Sequence, residues 1–362
     1  MASMRAMRVR RPAGVIAATM AVAVMAGCSA GAPQAEEAGA STRYSGDEEL
    51  LQVIRPSFSG PDDIAAVALV ADGEVRTAFV RADAETRFEI GSITKTFTGL
   101  LLAEAIERGE VALDDPLGIH LDLDDAPVAD VTLGALATHQ SGLPIFPSDP
   151  EWQQEAAALD AEGKDAVDET LDELLALARA EQLPNDPTTA YSNFGAALAG
   201  QALAAAAGTE YRDILAERIL EPLGLEDTSL PIEDDDHVKG LAQGFTGDRR
   251  KADPSTLGAF APAGGIVTTV EDLARYAQGV IDGPYAGSAA LEPNPFGDGD
   301  YGYFWALSSR GDRDLVSHDG MTTGFTSALL IDRTAGTAAI VFVNRSSRPV
   351  HEVARDLLGQ VD

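Results

Sequence analysis

The chain has 362 residues, 45% hydrophobic and only 6% aromatic, with 58 acidic against 26 basic side chains and a formal charge of −32. Such a length and apolar content support one large or two small domains whose core is mainly Ala, Val, Leu and Ile. A body this acidic repels nucleic acid, which excludes DNA or RNA as a partner, and one cysteine excludes an intrachain disulfide or a Cys-built metal site.

Arg5, Arg8, Arg10 and Arg11 precede an apolar run over residues 13–26. The run is shorter than the roughly 20 residues a spanning helix needs and matches the hydrophobic part of a secretion signal. It ends in Met25-Ala26-Gly27-Cys28, which resembles a bacterial lipoprotein processing site, where the cysteine is acylated and becomes the new N-terminus. Residues 1–28 are therefore expected to be a signal peptide. Cys28 is expected to carry the lipid that anchors the protein to the outer face of the cell membrane. An ordinary secretory signal cut nearby is the alternative. Loss of residues 1–28 removes four arginines and no acid, so the charge of −32 becomes −36. That acidity serves solubility outside the cell or adaptation to high salt. Residues 29–45 are small and polar and read as a tether, leaving 46–362 as the folded domain.

Within that domain, residues 47–55 predict a short helix. Ile64–Val70 and Glu74–Val80 predict two strands, and Asp72-Gly73 between them is a hairpin signal. A helix is expected from near Ser92 to Gly109, with Ile93, Phe97 and Leu100–Leu102 on its apolar face. Further helices are expected over 131–138, 151–181, 194–207 and 210–220. Thr268-Thr269-Val270-Glu271 predicts a capping box that opens a helix to about 281. Strands are then expected over Tyr301–Ser308, Leu315–Ser317, Phe325–Asp332 and Thr337–Asn344, and a last helix over 350–360. The order of strands, then helices, then strands predicts an α/β fold of the α+β type. Its mainly antiparallel sheet comes from N- and C-terminal strands flanked by helices, with a mostly helical lobe over about 115–285 and a cleft between them.

Three short motifs carry chemistry. Ser92-Ile93-Thr94-Lys95 sits at a helix start, where positions three apart share a face. Lys95 thus lies one turn behind Ser92, and a serine hydroxyl needs such a base or cation to become a nucleophile. Lysine is scarce (Lys95, Lys164, Lys239 and Lys251 only), and Lys95 stands among apolar helix positions. Tyr191-Ser192-Asn193 precedes a helix. A tyrosine near a lysine has its phenolate favoured and can relay a proton, and Asn193 can hold both Lys95 and a substrate amide. His318-Asp319-Gly320 follows a strand, and Gly320 lets a substrate backbone approach. His120, His139, His237, His318 and His351 are dispersed, so no metal or other cofactor is expected.

Together these motifs resemble the serine β-lactamase and penicillin-binding-protein superfamily, in its class C-like branch with DD-peptidase and esterase relatives. The likeness extends over about residues 48–358. It includes Thr138-His139-Gln140-Ser141-Gly142-Leu143-Pro144, Ala263-Gly264-Gly265 and the ending Phe342-Val343-Asn344. The resemblance implies an acyl-enzyme on Ser92, with Lys95 and Tyr191 moving the proton and Asn193 orienting the substrate. It places the oxyanion on the N–H groups of Ser92 and Met321, and His318 and Gly320 along the substrate. His139 then structures its loop.

The third motif departs from the pattern. Histidine replaces the lysine usual in true β-lactamases of this branch, and Asp319 and Met321 replace threonines that hold a substrate carboxylate in the peptidases. An Asp319 carboxylate beside such a group would repel it by on the order of 1 kcal/mol. The expected function is an exported serine hydrolase acting on an amide or ester, such as a wall peptide, a β-lactam or a small ester. The alternatives are a receptor for β-lactam or wall peptide with little turnover, and a plain adhesion lipoprotein.

Overall fold

A computed structural model describes residues 43–184, 189–233 and 236–361. The expected signal peptide, Cys28 and most of the tether lie outside the described residues. The end of the expected tether does not: Tyr44–Gly46 forms an edge strand, β1, paired antiparallel with residues 78–80.

Helix α1 (Glu48–Ile54) follows, capped by the Asp47 carboxylate on the N–H groups of Glu49 and Leu50. Strands β2 (Ala65–Ala71) and β3 (Glu74–Val80) then form the expected hairpin. A two-residue strand β4 (Phe88–Glu89) and a tight turn over Gly91–Ile93 lead into α2 (Thr94–Glu107). The helical part comprises α3 (Leu133–Ala137), α4 (Pro150–Ala161), α5 (Leu171–Ala180), α6 (Asn193–Ala207), α7 (Tyr211–Leu215), α8 (Glu221–Leu223) and α9 (Ala261–Gly264). A short strand β5 (Val267–Thr268) pairs with β4 and precedes α10 (Val270–Ile281). The chain closes with β6 (Ala306–Arg310), β7 (Arg313–Met321), β8 (Thr326–Asp332), β9 (Thr337–Val343) and α11 (Val350–Leu358).

Seven strands make one antiparallel sheet in the order β1-β3-β2-β9-β8-β7-β6. Strand β2 is the seam, since it pairs with β3 on one side and β9 on the other. It is buried on both faces. Ala66, Ala68 and Val70 join the larger core with α2 and α10, whereas Ala65, Val67 and Leu69 meet α1 and α11. Side chains alternate across a strand, so a two-sided strand reads as an unbroken apolar run, as this one does.

The structure departs from the sequence reading in four places. The helix expected over 151–181 is two helices, because Gly163 takes φ +73 and Thr170 opens α5 with a full capping box to Glu173. The cap of α10 is Thr269 on Asp272 N, one residue later than expected. The strand expected from Tyr301 begins only at Ala306, since Phe304 turns the chain at φ +59. Strand β7 is longer than expected and carries the third motif within it.

Asn344, fully buried after β9, ties the seam together. Its Oδ1 accepts from Ile64 N at 2.8 Å, and its Nδ2 donates to Gln243 O at 2.8 Å and Asp62 O at 3.2 Å. Asn344→Ala leaves these buried groups unpaired and should cost about 2–4 kcal/mol in urea unfolding. A loss below about 0.5 kcal/mol would deny it this role.

Candidate active site

Two glycines let β7 reach the turn that carries Ser92. Gly91 has φ +50, and a Cβ there would lie 2.7 Å from Met321 N. On the other side, a Cβ on Gly320 would lie 1.9 Å from Ile90 O. Ser327 Oγ, from β8, donates to the same Ile90 carbonyl at 2.7 Å. The peptide N–H of Met321 is thus held beside the residue preceding Ser92.

Lys95 has no accessible surface. Its Nζ stands 3.2 Å from Ser92 Oγ, 2.7 Å from Asn193 Oδ1 and 2.6 Å from Ala263 O. Burial pushes its pKa well below the usual lysine range, because removal from water penalises the ammonium form. Tyr191 lies with its ring 4.9 Å from Lys95 Nζ and its hydroxyl bonded to Ser92. Ser92, Lys95, Tyr191 and Asn193 are therefore brought together as the sequence predicts.

The ionisation of Tyr191 differs from the expectation. Burial raises its pKa, Tyr301 adds to the rise, and the bond to Ser92 only partly opposes them. The phenol, not the phenolate, is the resting form, because the dry surroundings penalise the phenolate's charge.

His139 does structure its loop. Its Nδ1 accepts from Ser192 N at 3.2 Å, its carbonyl accepts from Ala190 N at 2.8 Å, and its ring lies 4.6 Å from that of Tyr191. Burial, then Lys95 and His318, bring its pKa down to about 3, so it is neutral at physiological pH. His318 is inward and buried. Its Nδ1 donates to the Asp319 carbonyl at 2.7 Å, and burial brings its pKa to about 4.

Alternation along β7 turns Asp319 and Met321 to the other face of the strand. There the Asp319 carboxylate meets His351 Nδ1 of α11 at 3.0 Å, a contact that raises the pKa of the imidazole. The suspected repulsion of a substrate carboxylate thus has a carboxylate already engaged at the rim of the cleft. Thr322 and Thr323, just beyond the motif, also line the cleft, with the Thr322 hydroxyl engaged by Gly324 N, Phe325 N and Glu89. Sequence reasoning passed over them because it looked inside the motif.

The cleft holds a cavity of about 930 Å³ reached by Ser92, Tyr191, Asn193 and Gly320. Among the described residues, no group of three or more His, Cys, Asp or Glu is placed to hold a metal ion.

This arrangement is that of the class C fold. A beta-lactamase/D-alanine carboxypeptidase from Pseudomonas syringae superposes with a TM-score of 0.73 at 18% identity, covering 87% of this chain and 99% of that one. The beta-lactamase family model matches residues 64–362, and the chain belongs to that family, whose membership supports a serine hydrolase in general. Relatives include beta-lactamase-like protein 2 of Dictyostelium discoideum, 31% identical over 53% of this chain and 35% of that protein. Penicillin-binding protein 4 of Amycolatopsis lactamdurans is 25% identical over 87% of this chain and 89% of that protein. The matches span 35%, 61% and 48% of the lengths of three of the curated relatives.

Glu89 is a buried acid beside the site whose surroundings the sequence did not reveal. It is buried behind the nucleophile turn, where its carboxylate accepts from Ser255 N at 2.8 Å and Ser255 Oγ at 3.1 Å and also meets Thr322. Both of those partners line the cleft. Burial pushes Glu89 from 4.5 up to about 7, against its hydrogen bonds. The folded state then holds this proton more tightly than the unfolded state. Its stabilisation is complete below about pH 4.5 and is lost as pH rises towards 7, by roughly 3 kcal/mol. Glu89→Gln should flatten that decline in urea unfolding measured across pH 4.5–7, and an unchanged slope would assign the decline to other groups.

Proposed function

We propose that the chain is an exported lipoprotein that hydrolyses amide or ester substrates through an acyl-enzyme on Ser92. The observation that carries the reading is the Lys95 amine, sealed from water 3.2 Å from Ser92 Oγ. Its N–H groups point at Asn193 Oδ1 and Ala263 O, and burial favours the neutral, basic form of the amine beside the serine hydroxyl.

Ser92 Oγ attacks the substrate carbonyl carbon while its proton passes to Lys95 Nζ. The negative oxygen rests on the N–H groups of Ser92 and Met321. Collapse of this intermediate breaks the bond to the leaving group, which takes its proton from the Tyr191 hydroxyl. Lys95 then returns the serine's proton to the Tyr191 oxygen, which restores both groups. Water then attacks the acyl ester, releases the acid and restores the serine. Protonated Tyr191 suits this donor step better than a phenolate does. Asn193 spends Oδ1 on Lys95 and keeps Nδ2 for the substrate.

Incubation with a fluorescent penicillin and with a nitrophenyl ester tests the reading. Wild type should be labelled or should turn over at least one of the two. Ser92→Ala should do neither, and Lys95→Met should lose about 10²–10⁴-fold in kcat/KM. Activity that survives in Ser92→Ala would remove the serine from the chemistry.

The anchor rests on Met25-Ala26-Gly27-Cys28 and on Cys28 being the sole cysteine. Several acyl chains on one residue hold a protein stably where a single chain does not. Cys28→Ala should move the protein from the membrane fraction to the soluble one, and retention in the membrane would end this reading.

A further inference from the structure

One wall of the cleft is far more apolar than the chemistry at Ser92 requires. Phe146, Trp152 and Phe260 form an aromatic cluster lining the cavity, with ring centroids 5.5 to 6.5 Å apart. The indole N–H of Trp152 is spent on Glu169 Oε1 at 2.5 Å, so its polar edge is engaged away from any ligand. Helix α4, which carries Trp152, buries none of its residues and turns Ala156 and Ala157 towards the cavity. Small residues on that helix leave the space open.

Between this cluster and the nucleophile stands Leu257. Its backbone is left-handed, with φ +57 and ψ −1, a conformation that a branched side chain adopts at a cost of about 1–2 kcal/mol. The half-buried Asp165 carboxylate holds it there by accepting from Thr256 N at 2.6 Å and Leu257 N at 3.3 Å, while its other oxygen accepts from Val167 N at 3.3 Å. The strained turn sets Leu257 Cδ1 3.3 Å from where a Cβ on Gly264 would be, and the same point is 3.7 Å from Gly91 C. Leu257 and the turn that carries Ser92 thus both border Gly264, and Leu257 lines the same cavity as Ser92.

Both arginines that border the cavity are occupied elsewhere, and of its acids Asp165 and Asp319 are engaged by the turn and by His351, while Asp160 stands exposed on the outer helix. Arg250 pairs with Asp248 at 3.0 Å and also bonds Ala161 O. Arg348 bonds Ser57 O and lies over the Phe58 ring at 5.9 Å. At the mouth stand Ile145 and Met321, 53% and 59% exposed, which are unusually open for such side chains. Tyr191 belongs to a different wall, among His139, Tyr301 and His318. A leaving group protonated by Tyr191 departs along that wall, which leaves the Leu257 wall to the group that stays on the carbonyl.

We propose that the Leu257–Trp152 wall is an acyl subsite, and that the substrates carry a medium-length, uncharged apolar acyl group on the carbonyl attacked by Ser92. This inference rests on the serine-hydrolase reading above and names its substrate class. Asp165 and Leu257 are the specificity-determining pair: the first fixes the turn, and the second meets the acyl chain.

The test is a series of nitrophenyl esters from acetate through butyrate and hexanoate to octanoate, with the full-length chain in detergent and Ser92→Ala as control. Each added methylene should raise kcat/KM by about fourfold until the pocket is filled. Leu257→Gly suits the left-handed backbone and should fold. It should reduce the hexanoate-to-acetate ratio by about tenfold. Ala157→Trp, on the outer helix, should fill the cavity and move the optimum to a shorter acyl group. A flat chain-length profile that still depends on Ser92 overturns the subsite and leaves the serine hydrolase standing. Unchanged ratios in both variants overturn it too. Absence of any Ser92-dependent ester hydrolysis or penicillin labelling would instead strike the serine-hydrolase reading, and this inference with it.

Discussion

Lys95 donates to one carbonyl from the start of α6 and one from α9, and it faces a hydroxyl from its own first turn, with no water contact at all. An ammonium placed there would forfeit several kcal/mol of hydration that the three dipoles return only in part. Burial therefore lowers the cost of giving up the proton and favours the amine as a base. The same burial governs its neighbours. Tyr191 stays a phenol, and His139 and His318 stay neutral at physiological pH, each because the dry surroundings penalise its charged form. Around Ser92 the histidines and Tyr191 therefore add no charge of their own before the reaction creates it next to N–H groups already in position.

Three chain segments must converge for this to happen, and the sheet arranges it. The seam of β2 against β9 brings the N-terminal third of the chain to the C-terminal strands. Gly91 and Gly320 then allow β7 to touch the turn that carries Ser92, a contact that any pair of side chains would prevent. Pro262 presses on Gly200 where α9 meets α6, so Ala263 and Asn193 approach Lys95 from neighbouring helices. Catalytic geometry here depends on missing side chains as much as on those present.

What the sequence made legible follows from this. Ser92 and Lys95 share one helical turn, and Tyr191 and Asn193 precede a helix, so local spacing conveyed their roles. The two-sided strands β2, β8 and β9 read as apolar runs, and the hairpins were marked by their turn residues. The split between α4 and α5 was hidden because Glu162 and Gly163 sit in a run of strong helix formers. The direction of Asp319 depends on the register of β7 with β8 and on α11 supplying His351, contacts that lie 32 residues away or join separate strands. The ionisation of Tyr191 was misjudged for a related reason. Proximity to lysine was visible in the motif, but the depth of burial that penalises the phenolate was not.

Burial links the chemistry to the shape of the cleft. A site that lowers the pKa of Lys95 by burial must keep water away, and Leu257, Phe260 and Val167 form a wall of the kind that does so. An apolar acyl chain laid on that wall would displace the remaining water and deepen the desolvation of the amine beside Ser92. A charged acyl group would do the reverse, since its counter-ions and hydration shell would have to enter with it. Substrate selection and nucleophile activation then draw on one physical cause. The residues that hold the left-handed turn at Leu257 consequently influence the reactivity of Ser92, although none of them touches its hydroxyl.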